Sequence, residues 1–527
     1  MDRRSFLLAA SGCLVSTEQA TGRLRTLAHT NTPWITLVPR QAHPRREIVN
    51  VGVPFAPGQL VDAARIHVVD EHGAELDAAV RPLEHWRHPP DRKPEPPASI
   101  RAVQLQLHVN FSARPSTRVR IVLGAPRARR PDQFASISDS FIEVDALQGP
   151  AVLALTPPAW LCESEVAGPQ TPSFRSGRWS AYDRLVDRHF PESLQYVNSD
   201  IYHHWLFDRT SVYYKQYVRT GDRGFLEAAY HCATFLRLHT EMSGPDAGFF
   251  TLKGPDVKYV YPRAMHLHYL MTGDERALEA GKVMARYCLT HWDPVYRPGR
   301  YSQPGVDVDP EKDRPFWSTR HEAYGLLGVL HGWEMTGDET YWLKAREYVD
   351  ALASHQAQPP DGFPPDGSWR QNWALYDPSE TLLAAGASPW MTAILLDALF
   401  HYWWTTRDAR IPEMVTRWCD FLDRKAFTED GSRVRYIVDC LGSNHVDDAP
   451  GSQEQGMERH STELAYSFAM GQFFSRDPLP RARFRRRFDR LFDSALRIDM
   501  NRPVRCYNWA FQASSQLVYF MNHLRSG

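Results

Sequence analysis

The stretch "RHEAYGLLGVLHGWEMTGDETYW", residues 320 to 342, decides the fold of this chain. Its right half, Thr336-Gly337-Asp338, is a helix stop followed by a helix start. Glycine takes the left-handed conformation that ends one helix, and Asp then caps the next by accepting from its exposed amides. Its left half puts Arg320, His321, Glu322 and Tyr324 at the mouth of one apolar run. The same junction recurs at Thr220-Gly221-Asp222 and Thr272-Gly273-Asp274. It recurs in degenerate form around Thr405-Thr406-Arg407-Asp408 and at Ser475-Arg476-Asp477, and a last apolar helix, "NWAFQASSQLVYFMNHL", lies near the C-terminus. Junctions some tens of residues apart mark a repeat of helical hairpins. Six apolar helices, each preceding a junction or the terminus, predict six hairpins closed into a ring, an (α/α)6 toroid over residues 161–527. The more apolar helix of each pair lines the inside, and an open solenoid is the alternative.

Upstream the period changes to two. "REIVNVGVPFA", "ARIHVVDEHGAEL", "SIRAVQLQLHVNF", "TRVRIVLGA" and "SFIEVDA" alternate as strands, separated by turn residues. Residues 31–160 are therefore expected to form an antiparallel β-sandwich or barrel, giving an α+β multidomain chain. The proline-rich residues 88 to 99 read as a solvated loop. Residues 1–30 read as an export signal and disordered start: Arg3-Arg4 precede the apolar stretch from Phe6 to Val15, as in twin-arginine signals. That predicts a periplasmic protein, and "AASGC" also resembles a lipoprotein box that would acylate Cys13.

The 527 residues carry 61 basic and 62 acidic side chains, so no net charge favours nucleic acid or a membrane surface. Tryptophan (16) and tyrosine (22) are plentiful, which suits a core and also suits stacking on sugar rings. The cysteines after Cys13 show no metal spacing, and several sit in helical apolar patterns as buried thiols. No cofactor is expected. A divalent cation such as calcium stays open, because "DVDPEKD" (307 to 313) has alternating acids, although Pro310 replaces any turn glycine. His266 and His268, two apart on a helix, point in different directions and do not chelate one metal together. "FRRRFDR" (484 to 490) reads as an outward helix face.

If the junctions share one rim, the N-terminal ends of the six inner helices share the other, and those ends carry the chemistry. They offer His203, His204, Asp208 and Arg209; Asp256, Lys258, Tyr261 and Arg263; Trp317, Arg320, His321, Glu322 and Tyr324. The later ends offer Trp390, then Glu458, Arg459, His460 and Glu463, then Tyr507, Asn508 and Trp509. Helix N-termini aimed at one cleft add positive potential.

The layout resembles the exo-rhamnogalacturonan lyase-like family, whose N-terminal β domain is of the RIFT-barrel type. "VNVGVPFAPGQL" (49 to 60) is similar to that domain's opening strand and turn, and "SIRAVQLQL" (99 to 107) to a later strand. Helical hairpins with such junctions are shared by many toroid enzymes acting on glycans, unsaturated glucuronyl hydrolases among them. The resemblance implies a polysaccharide or oligosaccharide substrate.

Two reactions suit the rim. A uronate lyase needs a base, an acid and cations that stabilise an enolate-like intermediate. Arg320, His321 and Tyr324, and Arg459, His460 and Tyr466, supply that kit twice, while Arg209, Arg263 and Lys258 could hold carboxylates. A glycoside hydrolase needs paired carboxylates, for which Glu322, Glu463, Asp208 and Glu458 are the candidates. The expectation is β-elimination, with hydrolysis next and a non-catalytic glycan binder third.

Overall fold

The computed structural model describes residues 32–41, 45–90, 98–111, 116–128, 133–144, 147–173, 177, 179–292, 294, 318–359, 364–372, 385–428, 434–439, 460–498 and 503–524. The export-type stretch with Cys13, the acidic loop 307 to 313, most of the proline-rich loop, Trp317, Cys440, Glu458 and Arg459 lie outside the described residues.

Nine strands come first: β1 Trp34–Pro39, β2 Arg45–Pro54, β3 Ile66–Val69, β4 Ala78–His85, β5 Ile100–Phe111, β6 Thr117–Leu123, β7 Phe141–Val144, β8 Leu147–Pro150 and β9 Val152–Leu155. They pair antiparallel into a four-stranded sheet ordered β3-β6-β1-β9, a three-stranded sheet ordered β2-β5-β4, and the hairpin β7-β8. Alternate residues such as Ile35, Leu37, Val49, Val51, Val53, Leu105, Leu107, Val119 and Ile121 are buried in one core, as a period of two requires.

Helices follow: α1 Pro158–Glu163, α2 Ser180–Ser193, α3 Arg209–Thr220, α4 Arg223–Leu238, α5 Pro262–Thr272, α6 Glu275–His291, α7 Thr319–Thr336 and α8 Glu339–Ala357. The series continues with α9 Pro389–Thr406, α10 Arg410–Lys425, α11 Ser461–Phe474, α12 Pro478–Ala495, α13 Pro503–Gln512 and α14 Leu517–Asn522. Short strands β10 Gln371–Asn372, β11 Ala385–Ala387 and β12 Val438–Asp439 form a small sheet between them. Helices α3, α5, α7, α9, α11 and α13 each contact the next, and α13 contacts α3 in turn. These helices are buried nearly all round: α7 buries Thr319 through Met335. Helix α10 instead buries only Ile411, Met414, Val415, Trp418, Cys419, Phe421 and Leu422, one stripe at helical spacing. The outward reading of residues 484 to 490 holds only for its charged residues, since Arg487 pairs with Asp423 of α10 and Arg485 with Asp489, while Phe484 and Phe488 of the same helix are buried in the core. Cys162, Cys232, Cys288, Cys419 and Cys506 are buried free thiols. No described helix is long and apolar enough to cross a membrane.

The junctions behave as their residues dictate. Gly221, Gly273 and Gly337 stand at φ of 67°, 77° and 74°, where a side chain would be strained. Asp222, Asp274 and Asp338 then cap α4, α6 and α8. The threonine has its own part: Thr336 Oγ1 donates to Gly332 O at 2.7 Å and accepts from the Asp338 amide at 3.1 Å, tying both helices to one hydroxyl. Thr220 and Thr272 do the same. At the fourth junction Arg407 takes the left-handed conformation (φ 57°) without glycine.

The sheet β2-β5-β4 packs on this junction end of the helices. A Cβ at Gly52 of β2 would lie 2.0 Å from Leu270 O of α5, so the backbones touch. Asn50 Nδ2 donates to Thr272 O at 2.6 Å, and Arg87 Nε donates to Glu334 O at 2.6 Å. These cations and amides satisfy carbonyls that helix C-termini leave open.

Candidate functional site

The N-terminal ends of the inner helices gather most of the residues expected there. Ahead of α5, Asp256 pairs with Lys258 at 2.5 Å, and His321 Nε2 of α7 lies 3.6 Å from the same carboxylate. His321 Nδ1 meets Ser318 Oγ at 2.6 Å, and the Trp292 ring stacks on the imidazole at 4.9 Å. Burial lowers the His321 pKa to about 4, against the pull of Asp256, so the ring is neutral. Burial opposes the Asp256 charge, yet the adjacent His321 ring and the Lys258 charge hold its carboxyl below the usual range. Burial and Arg320 bring Lys258 down to about 8.

Next to this group lies a three-ring cluster. Trp390 of α9, His460 before α11 and Trp509 of α13 have centroids 4.8, 4.9 and 5.9 Å apart. Phe207 and Tyr436 close its edges, while the Arg320 and Arg505 guanidinium groups lie over Trp390 and Trp509. His460 Nδ1 meets Glu463 Oε1 at 3.1 Å. A carboxylate there accepts from Nδ1–H and so favours the tautomer whose Nε2 is an acceptor. His460 Nε2 has no partner among the described residues.

Behind the rim a charged network crosses the inner helices. Arg263 of α5 donates to Asp208 at 3.0 Å and to Asp397 of α9 at 2.6 Å. Asp397 Oδ2 also receives Gln512 Nε2 at 3.0 Å and lies 3.5 Å from Lys215 Nζ of α3. Two cations face two carboxylates, so the network is balanced without a ligand. It begins in strained backbone: Phe207 and Asp208 stand at φ of 73° and 52°, both non-glycine. Consecutive residues held there cost roughly 1–3 kcal/mol each and cluster at functional sites.

Several buried donors beside this network find no acceptor among the described residues: the Tyr324 and Tyr466 hydroxyls, the Trp390 and Trp509 indole N–H groups, and Arg263 Nη2. Burial pushes both phenols well above their usual range, so they stay protonated.

Other expected residues serve the scaffold. Arg209 donates to the carbonyls of Ser193 and Tyr196 at 2.5 and 2.8 Å and so faces α2. Tyr507 packs on Tyr213 and Phe511, and Asn508 holds the carbonyls of His204 and Leu206. Tyr261 donates to Lys258 O at 2.7 Å, fixing the turn before α5. Glu322 accepts from Trp292 Nε1 at 2.7 Å. His203 and His204 stack edge to face in the short turn before α3, partly exposed.

One region was not anticipated. Beyond the Arg263–Asp397–Lys215 network, toward the β sheet, lies a cavity of about 590 Å³, part of it open to solvent. Its walls include Trp86, Arg101, Glu165, His331, Glu334 and His401. Burial pushes the Glu165 carboxyl up, and Glu165 stands at φ 55° while accepting from Trp404 Nε1 at 2.7 Å. Nothing in the spacing of these residues announces that they meet, since they come from five separate elements and loops.

No protein-family model matches the chain, and no curated protein matches it. Among solved structures it is similar to a polysaccharide lyase at 13% identity and TM-score 0.43, covering 66% of this chain and 100% of that one. It is similar to a sugar epimerase from a ruminal bacterium at 13% identity and TM-score 0.42, covering 61% and 87%. It is also similar to the unsaturated glucuronyl hydrolase of Bacillus sp. GL1, which degrades glycosaminoglycan, at 15% identity and TM-score 0.40, covering 60% and 84%. Likenesses this distant do not assign a reaction.

Proposed function

We propose that the chain is a carbohydrate-active enzyme with an (α/α)6 toroid, cleaving a uronate-containing polysaccharide by β-elimination at the N-terminal rim of its inner helices. The observation that carries this reading is the surplus of buried donors. Tyr324, Tyr466, Trp390, Trp509 and Arg263 present N–H or O–H groups with no acceptor among the described residues. A buried donor left unpaired costs about 1–3 kcal/mol, so the set calls for a ligand rich in oxygen. Each nearby carboxylate already has a partner for at least one oxygen: Asp208 and Asp397 in Arg263, Glu322 in Trp292, Glu463 Oε1 in His460, and Asp256 in Lys258, while Glu463 Oε2 is buried without a partner among the described residues. Substrate oxygens answer the donors without breaking those pairs.

In this mechanism His460, aligned by Glu463, takes the proton beside the substrate carboxylate through Nε2. Arg320 and Lys258 supply positive charge for the enolate-like intermediate. A protonated tyrosine, Tyr324 or Tyr466, donates to the leaving sugar oxygen. A second reading, glycoside hydrolysis, rests on Glu165, a carboxyl raised by burial that lines the same cavity as the ionised Glu334.

The test incubates the purified chain with uronate-containing and neutral polysaccharides, following the ultraviolet absorbance of unsaturated uronate alongside new reducing ends. β-Elimination raises both, and His460→Gln and Tyr324→Phe should each lower the rate by roughly 10²–10⁴-fold. New reducing ends without absorbance, abolished by Glu165→Gln, would overturn the lyase in favour of the hydrolase.

A further inference from the structure

The cavity end of the inner helices holds a cluster that the proposed elimination does not use. His266 of α5 and His331 and Glu334 of α7 turn three ligand atoms toward one another, and all three side chains are buried. His266 Nδ1 lies 3.0 Å from His331 Nδ1, His331 Nδ1 lies 3.2 Å from Glu334 Oε2, and Glu334 Oε2 lies 3.4 Å from His266 Nδ1. Zinc holds nitrogen and oxygen ligands at about 2.0–2.1 Å, which sets neighbouring corners of its tetrahedron about 3.3 Å apart. The three atoms thus form one face of such a tetrahedron.

We propose that His266, His331 and Glu334 bind a zinc-class divalent cation, with the fourth position completed by water or a ligand oxygen from the cavity.

Three further observations point the same way. First, His266 Nε2 contacts Glu84 Oε2 of β4 at 2.8 Å. A carboxylate on the far nitrogen of a ligating imidazole fixes its tautomer and orients it toward the metal. The second oxygen of Glu334 is held as well, by His401 Nε2 at 2.8 Å. Second, the Nδ1 atoms of His266 and His331 face each other at 3.0 Å, two ring nitrogens that one cation would satisfy together. Third, Arg101 donates to Glu84 at 2.9 Å and to Glu334 at 3.1 Å, so both carboxylates beside the two imidazoles are fixed in place, as the carboxylates around a metal site are. Two imidazoles and a carboxylate select zinc and its neighbours rather than calcium, which takes oxygen ligands. Glu84, His266 and His331 lie on β4, α5 and α7, so the ion would pin the β sheet to the ring.

The full chain is freed of metal by chelator dialysis and titrated with zinc chloride by calorimetry, with metal content measured after gel filtration. One zinc per chain is expected. Cobalt in its place should give the visible bands of a tetrahedral nitrogen-oxygen site. His331→Gln and Glu334→Gln should each weaken binding by about tenfold to a hundredfold or more, while His291→Gln, at the surface, should leave it unchanged. No uptake by the unaltered chain overturns the proposal, whatever the variants do. Uptake undiminished in both ligand variants overturns it equally, by assigning the metal to surface histidines.

Discussion

The two ends of the inner helices are built from similar residues and solve opposite problems. At the junction end the carbonyls of α5 and α7 are met by Asn50 and Arg87 of the β region, and Arg101 joins Glu84 to Glu334. Polar groups there are largely spent on holding two parts of the molecule together. At the N-terminal end Tyr324, Tyr466, Trp390 and Trp509 keep donors without acceptors among the described residues. Helix dipoles reinforce this division, since C-termini favour cations and N-termini favour anions. The same secondary structure therefore gives one end spent on docking and another that keeps unpaired buried donors, with the Arg263 network between.

That network should be the most sensitive point. Arg263 is the only described side chain joining Asp208 to Asp397, and all three are buried. Arg263→Met removes the shared cation and leaves Asp208 with no cation within salt-bridge distance among the described residues. A loss of roughly 3–5 kcal/mol is expected, read from the urea midpoint of unfolding. A loss below about 1 kcal/mol would mean that the two ends are not coupled through this residue.

The rim carries its own pH signature. His321 is lowered from 6.5 to about 4 by burial, so between those values the unfolded chain takes up a proton that the folded chain refuses. Its contribution is complete above pH 6.5 and is lost as pH falls toward 4. A shift of that size corresponds to roughly 3 kcal/mol. Urea unfolding across that window should lose stability on acidification, and His321→Gln should flatten the slope.

Much of the helical region was legible because its signals are local. The glycine and aspartate at each junction act within a few residues, and φ at Gly221, Gly273 and Gly337 is what their sequence asks for. The loaded helix starts were legible too, since His321, Arg320, Trp390, His460 and Trp509 do gather. Arg209 and Tyr507 were misleading because helix phase, not proximity to a helix end, decides which side a residue faces. Arg209 turns to the carbonyls before α3. The cavity end was illegible for another reason. His266 and His331 are 65 residues apart on different helices, and Glu84 comes from a strand, so only the docking of sheet on helices brings them together.

That docking is tested at Gly52. Its Cβ would meet the Leu270 carbonyl at 2.0 Å, a backbone contact that no rotamer change relieves. Gly52→Ala should cost about 1–3 kcal/mol through backbone displacement. The loss should appear as a lower Tm and faster proteolysis within residues 33–155, while the fluorescence of the Trp390–Trp509 cluster at the far end stays unchanged until global unfolding.

The smallest effect belongs to a single cap. Asp477 precedes α12, and its Oδ1 accepts from the Leu479 amide at 2.9 Å at an exposed position. Asp222 does the same for α4, accepting from the Gly224 amide at 2.7 Å in a half-buried setting beneath the Thr220 hydroxyl. An N-cap replaced by alanine leaves its amides to water where water can reach them and unpaired where it cannot. Asp477→Ala should therefore cost about 1 kcal/mol, and Asp477→Asn close to nothing, because asparagine keeps the accepting oxygen. Asp222→Ala should cost more than Asp477→Ala in parallel urea titrations. Equal losses at both positions would show that the junctions act as independent caps, and that the threonine adds nothing to the turn it closes.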